Sequence, residues 1–223
     1  MRRVPQWFTL AFIVILVSLA AFAAKEFVMP NISPAKTYPA HDHHPMEKFT
    51  IAADPYDSRE KAAIFKEKYA EKGYIPILVV MTNDGDQPVV LNNMRVELVT
   101  KRRDKIAAAT EDDLYRRFSK VKRRGDEPSR NPLPIPLPGR GPSVGVNKQG
   151  RDEIDASMFA AKAVAPQETQ AGFFFFDVKG IPEPLAGAHL YVTGLDFNSG
   201  QELMFFDIPM DNYLNRAAET TPK

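Results

Sequence analysis

The sequence predicts a mainly β protein of α+β composition: an antiparallel β-sandwich with two or three short helices, preceded by an N-terminal hydrophobic helix. Three observations predict it. Short apolar runs bounded by turn residues occur at both ends of the chain after residue 46, a pattern that favours antiparallel pairing over alternating β and α units. The 223 residues are 44% hydrophobic, enough apolar surface to offset chain entropy and build one core. Cysteine is absent, which excludes disulfides, thiolate catalysis, Cys-type zinc sites and lipid attachment to cysteine. A net charge of +1 argues against a chain built to coat nucleic acid, and none is expected as a partner.

In order along the chain, Arg2 and Arg3 form a positive start, and residues 7–24 come next without a charge, Thr9 and Ser18 being their only polar members. Residues 1–24 therefore read as a signal peptide or signal anchor. Ala21-Phe22-Ala23 offers a small-x-small cleavage site, while retention would leave residues 7–24 as a membrane helix. Either route exports the remainder of the chain, so the expected location is periplasm-facing on an inner membrane, or periplasmic or secreted after cleavage. Pro30, Pro34, Pro39 and Pro45 mark residues 25–46 as a Pro-rich stalk. One domain is expected over residues 47–210, with a short C-terminal tail over 211–223.

Residues 47–53 alternate, which places Phe49, Ile51 and Ala53 on one buried face of a strand. Asp57 and Glu60 have capping-box spacing for a helix whose apolar face is Ala62, Phe65 and Tyr69 and whose stop is Gly73. Residues 74–82 are apolar on both faces, so a central strand covered on each side is expected. The turn Asn83-Asp84-Gly85-Asp86, with Gly85 at positive φ, leads to a short returning strand at 89–91. Met94, Val96 and Leu98 then alternate with outward Arg95 and Glu97.

Thr110 and Asp113 open a second helix with Leu114, Phe118 and Val121 on its apolar face. Six prolines between 128 and 142 predict an extended connector at 125–150, and residues 152–163 a third short helix. Four successive phenylalanines make 172–178 a buried strand. Residues 190–195 and 202–208 pair across Asn198-Ser199-Gly200.

Two of these segments carry a family resemblance. Leu78-Val79-Val80-Met81-Thr82-Asn83-Asp84-Gly85, a strand ending in an asparagine turn, resembles the opening of immunoglobulin-like domains in exported bacterial proteins. The stretch from Val164-Ala165-Pro166 through Thr169 to Gly172-Phe173-Phe174 resembles their later strand entry. The resemblance implies an immunoglobulin-like sandwich and a role in binding or assembly, and it assigns no binding residue.

Candidate chemistry lies in two clusters. His41, His43 and His44 fall within four positions, and imidazoles beside Asp42 suit Cu(II), Ni(II) or Zn(II). Between residues 101 and 124 there are ten Lys or Arg against four acids. Arg102, Arg103, Arg116, Arg117, Lys120, Lys122, Arg123 and Arg124 are the candidates to face an anionic partner. His189 reads as structural.

Two other matches are set aside on context. Gly141-Pro142-Ser143-Val144-Gly145 matches G-x-S-x-G, with Asp177 and His189 in hydrolase order, but a nucleophile elbow needs a strand before the first glycine and a helix after it. Asp84 with Asp86, and Asp54 with Asp57, fall short of a calcium loop and read as a turn and a cap. With no coherent catalytic set, the expectation is a non-enzymatic, cofactor-free binding or assembly module of a bacterial cell envelope. Its partner would be an envelope protein, an anionic polymer or lipid headgroups, and its oligomeric state stays open. The alternative is an envelope metal-handling protein using the histidine cluster.

Overall fold

The computed structural model describes residues 27–121, 144–145 and 148–220. The expected N-terminal helix, most of the proline connector, and Lys122, Arg123, Arg124 and Ser143 lie outside them. A 3-10 turn at Ala35–Thr37 leads into β1 (His41–His44) and β2 (Phe49–Pro55). Helix α1 (Arg59–Ala62) and a 3-10 turn at Ala70–Lys72 precede β3 (Tyr74–Asn83), β4 (Val89–Val90), β5 (Arg95–Val99) and β6 (Lys105–Ala107). Helix α2 (Glu111–Phe118) is followed by β7 (Lys120–Val121), β8 (Val144–Gly145) and α3 (Lys148–Ser157). The chain continues through β9 (Ala163–Val164), β10 (Glu168–Asp177), β11 (His189–Thr193), β12 (Asp196–Phe197), β13 (Phe206–Pro209) and α4 (Asp211–Thr220).

Two four-stranded antiparallel sheets form a β-sandwich. Sheet 1 has the order β1-β2-β3-β10 and sheet 2 the order β13-β11-β5-β6. A small sheet β12-β4-β9 lies beside them, with Val89 and Val164 in the same core, and β7 pairs with β8. Because side chains alternate across a strand, each face of sheet 1 has its own partner. Phe49, Ile51, Ile77, Val79, Met81 and Phe176 meet Val96, Leu98, Leu190, Val192, Phe206 and Ile208 of sheet 2. The opposite face, with Ala52, Leu78, Val80, Phe173 and Phe175, is covered by Phe65, Tyr69, Leu114, Phe118 and Ile154 from the helical segments. Sheet 1 is thus the middle of three layers.

That layering explains the two most apolar runs. β3 is buried at nine of its ten positions, as the uninterrupted apolar pattern predicts. The four phenylalanines of β10 divide by parity: Phe173 and Phe175 enter the helix-side core, Phe176 the sandwich core, and Phe174 packs at the margin of the latter. Each fully buried phenylalanine contributes about 1.5–3 kcal/mol relative to exposure. The β11–β13 and β5 pairings follow the expected alternation, with Val96 and Leu98 inward.

Several expectations are corrected. The Pro-rich stalk is not free over its described part. Ala35 and Ala40 are fully buried, the Ala35 amide donates to Thr82 Oγ1 at 2.9 Å, and β1 pairs with β2 from His41↔Ala52 to His44↔Phe49. Prolines forbid a helix there, but they leave an extended chain able to add a strand. β2 is buried on both faces instead of one, because the helical layer covers its second side.

At α1 the cap is Ser58, whose Oγ accepts from the Lys61 amide at 3.2 Å, while Asp57 takes the Tyr213 hydroxyl at 2.7 Å. The helix stops after one turn, and Gly73 does supply a left-handed residue at φ 87°. Gly85 is not in the left-handed region, because Asn83 makes the turn itself. Asn83 Oδ1 accepts from the Gly85 amide, and its Nδ2 donates to the carbonyls of Gln87 and Val164. The strand after that turn pairs with β9 and β12, not with β3. The third helix begins at Lys148, inside the expected connector, and the expected C-terminal tail forms α4, which buries Tyr213 in the sandwich core.

Candidate functional site

The histidine cluster is placed by strand geometry. Successive side chains of β1 point to opposite faces, so the pleat puts His41 and His43 on one face and His44 on the other. His41 Nδ1 lies 2.7 Å from the Tyr38 carbonyl, and His43 Nδ1 lies 2.9 Å from Thr50 Oγ1. His44 is on the sandwich side, stacked on Phe206 with ring centroids 3.9 Å apart. Its Nε2 is 3.3 Å from Asp42 Oδ2, and its Nδ1 is 3.4 Å from Glu47 Oε2 without hydrogen-bond alignment. Among the described residues no three His, Asp or Glu side chains are grouped to hold a metal ion.

What His44 and Asp42 join instead is two sheets. The Asp207 amide of β13 donates to Asp42 Oδ2 at 2.9 Å, so β1 seals an open edge of sheet 2.

The basic residues are likewise separated. Arg102 and Arg103 lie on the β5–β6 turn, where Arg102 is 3.6 Å from Asp104. Arg116 and Arg117 belong to the helical layer: Arg116 bonds Asp113 at 2.9 Å, and Arg117 bonds Asp177 at 2.6 Å with its guanidinium over the Tyr74 ring. Lys120 lies in β7, whose ladder partner is Gly145. A cleft of ≈ 650 Å³ beside Arg117, Lys72 and Lys179 also contains Asp57 and Glu71. The stretch 101–121 is therefore not one cationic patch.

The described residues bring together a different set, on the outer face of sheet 2. The inward residues of β5, β11 and β13 fill the core, so their alternates face out. His189, Tyr191 and Phe205 form a row with successive ring centroids 6.1 Å apart. Phe205 is 53% exposed and the neighbouring Met204 66%, which is unusual for large apolar side chains beside a sandwich edge. A cleft of ≈ 560 Å³ opens beside this row, lined by Lys101, Arg103, Lys105, His189 and Tyr191 among others. Lys105 is 3.8 Å from Glu97, and Lys101 packs its stem over Gly187.

Arg103 is held at φ 68°, a strained value for a non-glycine residue, with its amide bonded to the Thr100 carbonyl. His189 Nδ1 is 2.6 Å from Asp207 Oδ1. Partial desolvation, followed by the nearby Asp207 carboxylate, raises the Tyr191 phenol above its ordinary pKa, and Arg103 opposes the shift. The face thus combines aromatic area, cations at the rim, and an imidazole–carboxylate pair.

His189, read from the sequence as structural, is half-exposed on that face and bonded to Asp207. Tyr191, Phe205 and Asp207 carried no motif; the available signal was that the outward positions of the last strands are aromatic as well as polar. The hydrolase order is not assembled. Asp177 pairs with Arg117 and His189 with Asp207, while Ser143 lies outside the described residues. The aspartates considered for calcium bond other side chains: Asp84 with Lys36, Asp86 with Lys48, Asp54 with Lys61 and Asp57 with Tyr213.

No protein-family model matches the chain, and no curated protein matches it. Among solved structures it is similar to a conserved hypothetical protein from Bacillus anthracis, at 14% identity and a TM-score of 0.32, over 76% of this chain and 91% of that one. No helix among the described residues is long and apolar enough to cross a membrane.

Proposed function

We propose that this protein is an exported, non-catalytic binding or assembly module of a bacterial cell envelope, built on an immunoglobulin-like sandwich. The strand order supports the fold. β2-β3-β10 and β13-β11-β5-β6 have the neighbour relations of strands A-B-E and G-F-C-C′ in that architecture. The apolar run of residues 7–24 behind Arg2 and Arg3 supports export, with retention of the run as an anchor or cleavage after Ala23.

The observation that carries the binding role is the asymmetry between the sheets. Both faces of sheet 1 are covered, whereas sheet 2 leaves an aromatic and cationic face open beside the exposed Met204 and Phe205. An envelope protein or polymer with anionic groups fits the cations at its rim.

A photocrosslinker in place of Phe205, in the full-length chain in native membranes, tests this. One defined adduct is expected, lost when Lys101→Glu and Arg103→Glu are introduced together. No adduct, or one indifferent to those changes, would refute the role of this face. The intact mass of the membrane-purified protein decides its anchoring: loss of residues 1–23 means a released protein.

A further inference from the structure

The described chain is fixed to the domain almost as soon as the apolar run ends. Phe27 stacks on Phe65 at 5.5 Å and meets the edge of Phe173 at 6.3 Å. Met29 and Ile32 pack against the same helix-side core, and Ala35 is fully buried in it. Only Lys25 and Glu26 separate Ala24 from Phe27, and three residue steps of fully extended chain reach no more than about 10 Å. The expected stalk would have allowed the domain to roam; this attachment does not.

The exit point also has a defined side. Phe27 sits in the layer behind sheet 1, beside the segment 57–73, while the open face belongs to sheet 2. Packed layers are about 10 Å apart, so the open face lies on the far side of the sandwich from the exit. The segment 57–73 carries five Lys or Arg against four acids, a balance that does not repel an anionic lipid surface. Val28, next to the exit, is 73% exposed.

From the short tether and the layer order, and resting on retention of residues 7–24 in a membrane, we infer that the domain lies flush on the lipid surface by its Phe27–Val28 side. The aromatic and cationic face is then turned outward. The lipid headgroups of the anchoring bilayer are the occupant of the first side and are excluded as partners of the second.

Because the chain has no cysteine, single replacements can be labelled without background. The full-length protein carrying Val28→Cys or Met204→Cys is labelled with a fluorophore and reconstituted in phosphatidylethanolamine–phosphatidylglycerol vesicles containing a headgroup-level quencher lipid. Flotation comes first: protein that fails to float overturns the anchor and the inference with it. In protein that floats, loss of most of the fluorescence at position 28 and none at position 204 is expected. A Gly-Ser spacer after Glu26 should restore the signal at 28. Equal quenching at both positions, none at 28, or quenching that survives the spacer would overturn flush seating while leaving the anchor intact.

Discussion

Gly172 shows how a missing side chain permits a whole contact. A Cβ there would lie 2.3 Å from the Phe159 Cα and 2.7 Å from its nitrogen, because segment 158–159 crosses β10 at that point. The atoms are backbone and cannot rotate away, so Gly172→Ala is expected to lower stability by about 1–3 kcal/mol in urea titration. Glu153 is a second decisive residue. The residue is 3% exposed, and its carboxylate accepts from the Lys66 and Glu67 amides at 2.6 and 3.1 Å, holding that loop to α3.

Burial raises the Glu153 pKa, opposed by those two amides and reinforced by the neighbouring Glu67 charge. A folded-state value above the unfolded one makes the contribution greatest in acid and lost as pH rises through the folded pKa. The stability advantage of wild type over Glu153→Gln should therefore shrink as pH rises from below the ordinary carboxylate value. Asp54, also raised chiefly by burial, titrates in the same direction, so the variant keeps part of the slope. A difference that grows with pH would contradict this account.

The clearest element is α2. Thr110 Oγ1 accepts from the Asp113 amide at 3.2 Å while Asp113 Oδ2 accepts from the Thr110 amide at 3.1 Å, a reciprocal box that satisfies two end donors. Thr110→Ala should cost about 1 kcal/mol. The Thr110 bonds hold the Asp113 carboxyl below its usual pKa, so its contribution is present above the unfolded value and lost as pH falls through the folded one. The Thr110→Ala penalty should accordingly diminish in acid, measured as the difference in urea midpoints. In β10, Phe175→Ala removes a ring that meets Tyr69 at 4.6 Å and Phe65 at 6.2 Å, with an expected loss of about 3–5 kcal/mol.

For the whole molecule, the consequence of the three-layer arrangement is that the segment before β2 is structural. Deleting residues 27–46 would bare the edge of β2, free the Asp207 amide from Asp42, and uncover Phe65 and Phe173. Exposed strand edges template association, so the shortened chain is expected to melt lower and to elute as aggregates in size-exclusion chromatography. Unchanged melting and an unchanged elution volume would restore the stalk. The same arrangement gives the molecule two unlike sides, one where the described chain begins at Phe27 and one at the open sheet.

By itself the sequence determined what depends on local pattern. The double-faced runs of β3 and β10, the alternation of β5 and the box at Thr110 are written in neighbouring residues, whose period and cap chemistry act over one or two turns. Only the tertiary structure decided which strands are neighbours. β11 lies between β5 and β13, joining residues 95–99 to residues 189–193 and 206–209, and no local period encodes such a pairing. That pairing turns Tyr191, His189 and Asp207 outward beside a cleft that Arg103 also lines, a grouping no motif announced. The histidines fared the other way. His43 and His44, adjacent in sequence, are parted by the pleat once β1 pairs with β2, because a strand sends successive side chains to opposite faces however close their numbers are.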